Sequence, residues 1–351
     1  MLRKVFLLAG CALSATTVPS ARAQTSPIPQ ANYTVAGIWR LGGNGAWDYL
    51  SLEASGARLF VSRGDHVEVV ETVSGKLAGT IPRTAGVHGI AFAPALKRGF
   101  TSNGLANTVT VFELDTLRVT HEVPVSGTLP DAILYEAQQN HIFTADRETA
   151  SLTVLDAGTL QIVAKVPLPG PPEFMATDDA GNVYVNIDTA PGILIRIDAK
   201  SLAVKAKWPL KECANPTGLA LDVANHRLFS VCANQVMAVT DALSGKAIAR
   251  VVIGRGPDAA VFDPELGMVF SSNGIDGTLT VIHQDSPDDY RVIATVSTQV
   301  SARTMALDPA THRIYLAAAQ FGPIPAATAG QPLPRASVMP NSFVILVAEP
   351  R

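Results

Sequence analysis

Seven positions recur at intervals of 40 to 45 residues, and most carry ionisable side chains: Asp48, His88, Asp131, Glu173, Thr217, Asp258 and Arg303. Each stands five residues before the end of a short, alternating apolar run, and in six copies an acid closes that run. Four carboxylates, an imidazole and a guanidinium drawn to one opening would raise one another's pKa values or recruit a cation. Carboxylate oxygens at Asp48, Asp131, Glu173 and Asp258 suit a hard divalent ion such as Ca²⁺ or Mg²⁺. His88 extends the choice to Zn²⁺ or a similar metal. In a catalytic site His88 would act as general base, and Arg303 would stabilise a developing oxyanion. A structural role competes at Asp131 and Asp258, each preceded by Pro, because a carboxylate there can simply cap backbone N–H groups.

A second set lies three residues after a recurring aromatic: Arg63, Asn103, Asp146, Ile187, Cys232, Asn273 and Ala318. Arg63, Asn103, Asp146 and Asn273 are candidate ligand-binding residues from this set. The two Asn also fit Ser-Asn-Gly turns, where Asn tolerates left-handed backbone. Trp47 is a further candidate to face a ligand, whereas Tyr49 reads as core. His141, His226 and His312 sit in turns expected at the opposite end of the molecule. No H-E-x-x-H, C-x-x-C, C-x-x-C-H or G-x-S-x-G pattern occurs, and Ser-Gly-Lys at 74–76 and 244–246 lacks the upstream glycine of a nucleotide loop.

The elements that must position these residues are strands. The anchoring aromatics Phe60, Phe100, Phe143, Tyr184, Phe229, Phe270 and Tyr315 are spaced 40 to 45 residues apart, the period of a four-stranded propeller blade. Apolar residues alternate, as in Leu152-Thr153-Val154-Leu155, and helical periodicity is nearly absent. The seventh unit has three strands, and an orphan strand at 33–41 supplies the fourth. Joining chain ends in one blade removes exposed sheet edges. The expectation is an all-β, single seven-bladed β-propeller of four-stranded antiparallel blades, closed by strand 33–41 in the C-terminal blade. Blades are placed at about 45–85, 86–128, 129–170, 171–213, 214–254, 255–299 and 300–348 with 33–43. A Pro- and Ala-rich insertion, Gln320 to Asn341, is expected to lie partly over the channel mouth.

Phe100-Thr-Ser-Asn-Gly with Asn107-Thr-Val-Thr-Val, and Phe270-Ser-Ser-Asn-Gly with Gly277-Thr-Leu-Thr-Val, resemble the YVTN-repeat, YncE-like propellers. The resemblance spans residues 33–348 and implies architecture more than activity. Unit five departs from it at Val231-Cys232-Ala233, and unit four inserts Asp188-Thr-Ala-Pro-Gly. Such departures point to one specialised pocket.

Residues 1–23 read as a targeting segment: Arg3 and Lys4, an apolar stretch, then Ala21-Arg22-Ala23. A lipoprotein box ending at Cys11 is the alternative. Residues 24–32 read as a flexible leader. Loss of 1–23 takes the net charge from −3 to −6, which argues against nucleic acid as the main partner, and no later run is long enough for a membrane helix. In a periplasmic or secreted chain, Cys213 and Cys232 are expected to pair, with two buried free thiols as the alternative. Two functions follow: a binding or interaction propeller taking a small molecule, metal or envelope protein, or a metal-dependent, lactonase-like hydrolase or lyase using the same pocket.

Overall fold

The computed structural model describes residues 32–325 and 336–351. Residues 1–31, which include the expected targeting segment and most of the expected leader, and the centre of the insertion lie outside them. The described chain forms seven four-stranded antiparallel sheets, with one short 3₁₀ turn at Pro94–Leu96. The first blade comprises Leu50–Leu52, Arg58–Ser62, Val67–Glu71 and Leu77–Ile81. The next five repeat this order, opening with Val87–Ala93, Pro130–Glu136, Pro172–Thr177, Pro216–Asp222 and Pro257–Asp263. The seventh combines Thr304–Asp308, Arg313–Ala318 and Val344–Pro350 with Tyr33–Arg40 as its outermost strand. Tyr33 pairs with Pro350 and Arg40 with Val344. The first and last described strands are therefore held in one ladder, and the ring closes as expected.

The anchor aromatics are core. None of the seven is more than 2% exposed, so each fills the space between its own sheet and a neighbour's. Burying one aromatic of this size stabilises the fold by roughly 1.5–3 kcal/mol. The acids that close the inner strands have a different task. Glu136 accepts from the backbone N–H of Gln138 and Gln139, Asp178 from Ala180 and Asn182, and Asp263 from Glu265 and Leu266. These carboxylates tie off tight turns at one end of the ring. His226 and His312 lie in the same set of turns with positive φ.

The sixth blade departs from the short outer hairpin of its neighbours over Gln284 to Tyr290. Those residues instead extend both strands, to Ser286 and from Asp289, leaving only Pro287 and Asp288 as the turn. Side-chain pairing accounts for the extension: Gln284 donates to the Tyr290 hydroxyl at 3.0 Å, and Asp285 takes Arg291 at 2.9 Å. Among the described residues no helix is long and apolar enough to cross a membrane.

Candidate functional site

Each inner strand is entered from the end of the ring opposite the acid-capped turns. A break in register near the start of most inner strands, such as Pro130/Ile133 and Pro257/Ala260, turns the second residue of the strand out of the ladder. Asp131 and Asp258 occupy that position. Asp48 and Arg303 stand just ahead of shorter inner strands, and His88 and Glu173 are second in theirs.

The predicted positions form an arc of alternating charge. Arg303 donates from Nε to Asp258 Oδ2 at 2.8 Å and from Nη2 to Asp48 Oδ1 at 3.2 Å. The other oxygen of Asp48, Oδ2, lies 2.5 Å from His88 Nδ1, and Asp131 Oδ1 is 3.5 Å from the same nitrogen. Asp131 Oδ2 then faces Arg147 Nε at 3.7 Å. Arg147 also pairs with Glu173 and, at 3.0 Å, with Asp188. Asp188 accepts from Asn215 Nδ2 at 2.9 Å. The arc breaks at Thr217, whose hydroxyl turns back to the carbonyl of Pro257 at 3.0 Å.

Two members were invisible as ring residues in the sequence. Arg147 follows Asp146 in the loop leaving the second strand, and that adjacency was its only signal. Asp188 lies in the unit-four insertion, where the repeat departs from its pattern. With them the mouth holds five carboxylates against His88, Arg147 and Arg303.

Burial and crowding of like charge set the protonation. Burial pushes Asp131 up to about 6, with Asp48 adding to the rise and His88 and Arg147 opposing it. Burial likewise raises Asp258, to about 7, although Arg303 at 2.8 Å and a side chain about one-third exposed both restrain it. Burial alone would lower His88. The hydrogen bond to Asp48 and the charges of Asp131 and Asp48 outweigh it, so the imidazole is held more basic than usual. Tyr49, kept neutral by burial and by these carboxylates, packs against Phe174 with ring centroids 4.9 Å apart. Both residues line the central channel, a cavity of about 690 Å³ walled by the inner strands.

Asp131 is 8% exposed, and its Oδ1 is buried without any hydrogen bond. The Tyr49 hydroxyl helps hold this carboxyl down but makes no hydrogen bond to that oxygen. A buried carboxylate oxygen without a hydrogen bond, its nearest cation His88 Nδ1 at 3.5 Å, carries a cost in free energy that a ligand from outside the chain would relieve.

The second predicted set lies elsewhere. Asn103 is fully buried inside its blade, accepting from Thr101 and donating to Thr108 and Thr110 at 3.0 and 2.8 Å. Asn273 repeats this with Ser271, Thr278 and Thr280. Asp146 takes the hydroxyls of Thr144 and Thr153. Arg63 is stacked on Phe343 and donates to Glu68, Gly42 and Asn44. Apart from Arg63 Nε, which is buried without a hydrogen bond, the polar groups named for these four residues are occupied within or between strands. Trp47 is 4% exposed and packs on Phe343, so it is core as well. His88 and Arg303 do belong to the mouth, but both are committed to carboxylates there. Cys213 and Cys232 form a disulfide with Cα atoms 5.4 Å apart.

A second cavity of about 480 Å³ adjoins the arc, bounded by Asp258, Arg303, Ile275, Val300 and Phe321. Phe321 begins the insertion and bridges to Val338 at its end. The flanks of the insertion thus lie at the mouth, while residues 326–335, which carry the expected cover, lie outside the described residues.

These features define a seven-bladed β-propeller with a charged channel mouth. No protein-family model matches the sequence, and no curated protein matches it. By shape the chain is similar to a chain of hydrazine synthase from Kuenenia stuttgartiensis. The TM-score is 0.70 at 16% identity, over 78% of this chain and 92% of that one. At that identity the likeness shows the propeller fold alone.

Proposed function

We propose that this is an exported binding propeller of the YVTN-repeat, YncE-like kind, and that its channel mouth takes a small cationic ligand. The observation that carries this reading is the excess of carboxylates over bases in one connected arc, with a buried Asp131 oxygen left without a donor. A site of this kind attracts positive charge and repels anions. Export is supported by the paired cysteines, since disulfides persist in oxidising compartments, and by the targeting character of residues 1–23. The YVTN-like assignment is supported by Asn103 and Asn273, which knit their strands together in the same way in both copies of the Ser-Asn-Gly motif.

The hydrolase or lyase reading is the weaker one. Arg303 already gives Nε and Nη2 to Asp258, Asp48 and the Trp47 carbonyl, so only Nη1 is left to meet an oxyanion, and its charge is already shared with two carboxylates. His88 lies between two carboxylates that favour its protonated form, which suits a general base poorly.

The test is calorimetry and thermal shift on the mature chain with putrescine, lysine and citrate at matched ionic strength. Putrescine should bind and raise the melting temperature, citrate should not, and Glu173→Gln with Asp258→Asn should abolish the difference. A chain indifferent to putrescine and to divalent cations alike, or one whose response survives both substitutions, would overturn the reading.

A further inference from the structure

We propose that Asp48, His88 and Asp131 form a site for a first-row divalent transition-metal ion, held by Asp48 Oδ2, His88 Nδ1 and Asp131 Oδ1, the ion displacing to solvent the proton that Nδ1 shares with Asp48. The inference rests on the cation-binding reading and narrows it to one corner of the mouth.

Three observations carry it. The first is convergence: one ligand atom from each residue lies within 4.8 Å of the others. Two donors that each sit about 2.1 Å from one ion stand roughly 3 Å apart. Separations of 2.5 and 3.5 Å from the imidazole nitrogen lie either side of that value, so the Asp48 carboxylate must move outward and the Asp131 carboxylate adjust to admit an ion. The second is the division of labour within each carboxylate. Arg303 faces Oδ1 of Asp48 while Oδ2 faces the imidazole, and Arg147 faces Oδ2 of Asp131 while Oδ1 faces the imidazole. Each guanidinium orients one carboxylate and leaves its other oxygen turned inward, as outer partners of metal ligands commonly do. The third is Asp131 Oδ1 itself, a buried acceptor with no hydrogen bond, on a residue 8% exposed and aimed into the cluster.

The donor set decides the class of ion. Two carboxylates and one imidazole suit Mn²⁺, Fe²⁺, Co²⁺ or Zn²⁺ better than Ca²⁺, which prefers six to eight oxygens. Three protein ligands leave positions for water or for a small ligand entering from the mouth. Gly104 leaves room for the imidazole, since a Cβ there would come within 2.9 Å of His88 Nε2.

The experiment uses the mature chain freed of metal with a chelator, then titrated with Co²⁺, Zn²⁺ and Ca²⁺ by calorimetry, with Co²⁺ also followed by visible absorption. One Co²⁺ or Zn²⁺ per chain should bind, with Co²⁺ absorption bands of a nitrogen- and oxygen-ligated ion and weaker binding of Ca²⁺. Asp131→Asn and His88→Gln should each weaken Co²⁺ binding by at least about 10-fold. Asp131→Asn is close to isosteric, and its melting curve shows whether the fold is kept. Should His88→Gln fail to fold, Asp131→Asn decides alone. Absence of uptake, or uptake unchanged in Asp131→Asn, would overturn the proposal. Putrescine binding without metal uptake would sink the metal site and leave the cation-binding reading standing. Failure of both would sink both.

Discussion

The mouth arc and the blade-interior set begin from the same repeat, on facing strands at the open end of the first hairpin in each blade, yet their contacts differ in character. Inside the blades, Asn103 and Asn273 meet the same hydroxyl partners in copies far apart in the chain, with no exposure at all. At the mouth, no two copies carry the same contacts. Asp48 joins His88 and Arg303, Asp131 joins His88 and Arg147, Glu173 joins Arg147 alone, and Thr217 turns back on the backbone. A repeated residue with repeated partners solves a folding problem that every blade shares. At the mouth no such shared set of partners recurs, so no folding task common to the blades accounts for those side chains.

The sharpest way to break this contrast is to attack the interior. Arg63 is 1% exposed, stacked over Phe343 with its guanidinium 3.8 Å from the ring centroid, and it joins the loop at Gly42 and Asn44 to the first blade. Arg63→Met leaves the Glu68 carboxylate with only His66 at 3.7 Å and takes the donor from two carbonyls. The expected loss is about 3–5 kcal/mol, the cost of breaking a buried pair on one side, read by denaturant unfolding. Cation binding at the mouth should be unchanged. A loss below about 1 kcal/mol would mean that Arg63 is not the fastening described.

The interior also contains its own exception. Blade three carries Asp146 where blades two and six carry Asn, and burial pushes this carboxyl up to about 6 despite the hydroxyls of Thr153 and Thr144. The folded state therefore binds the proton more tightly than the unfolded state. Below about pH 4 both states are protonated and nothing is lost. As pH rises from about 4 to 6, only the unfolded state gives up its proton freely, so stability falls, and above that window the full penalty remains. Two pKa units correspond to about 3 kcal/mol. Asp146→Asn should remove the penalty, raising stability by about 1–3 kcal/mol at pH 8 and little at pH 4. Equal effects at both pH values would show that the carboxyl carries no such cost.

How far these features could be read from sequence follows from the same contrast. The propeller was legible because it is written seven times. The aromatics at 40 to 45 residue spacing, the alternating strands and the orphan strand at the N-terminal side admit few other closures. Six mouth residues were legible as positions, since counting along each copy reaches Asp48, His88, Asp131, Glu173, Asp258 and Arg303. Their partners were not. Whether Asp131 meets a cation from its own blade or the next depends on a loop trajectory that no periodicity encodes, so Arg147 and Asp188 went unseen. The Asn and Asp of the interior set misled because polar residues after a strand suggest a turn or a ligand. Buried Thr and Ser hydroxyls two, five and seven residues away were their partners, and that pattern was present but unread.

The smallest expected change in stability comes from the mouth, and it sharpens the contrast most. Glu173→Gln removes one of three acids around Arg147, which keeps Asp188 at 3.0 Å and faces Asp131 at 3.7 Å. With two anionic neighbours left, the guanidinium is not stranded, and the partly exposed pair contributes about 1 kcal/mol or less. Thermal unfolding should therefore barely move. Putrescine affinity should fall even so, because the mouth loses one of its five carboxylates on the side where Thr217 leaves the arc open. Arg63→Met and Glu173→Gln thus predict opposite outcomes in the same two assays, unfolding free energy and putrescine affinity. If Glu173→Gln lowered stability as much as Arg63→Met while sparing binding, the mouth would be a second fastening of the ring rather than a site. The variation among its copies would then reflect seven local solutions to packing.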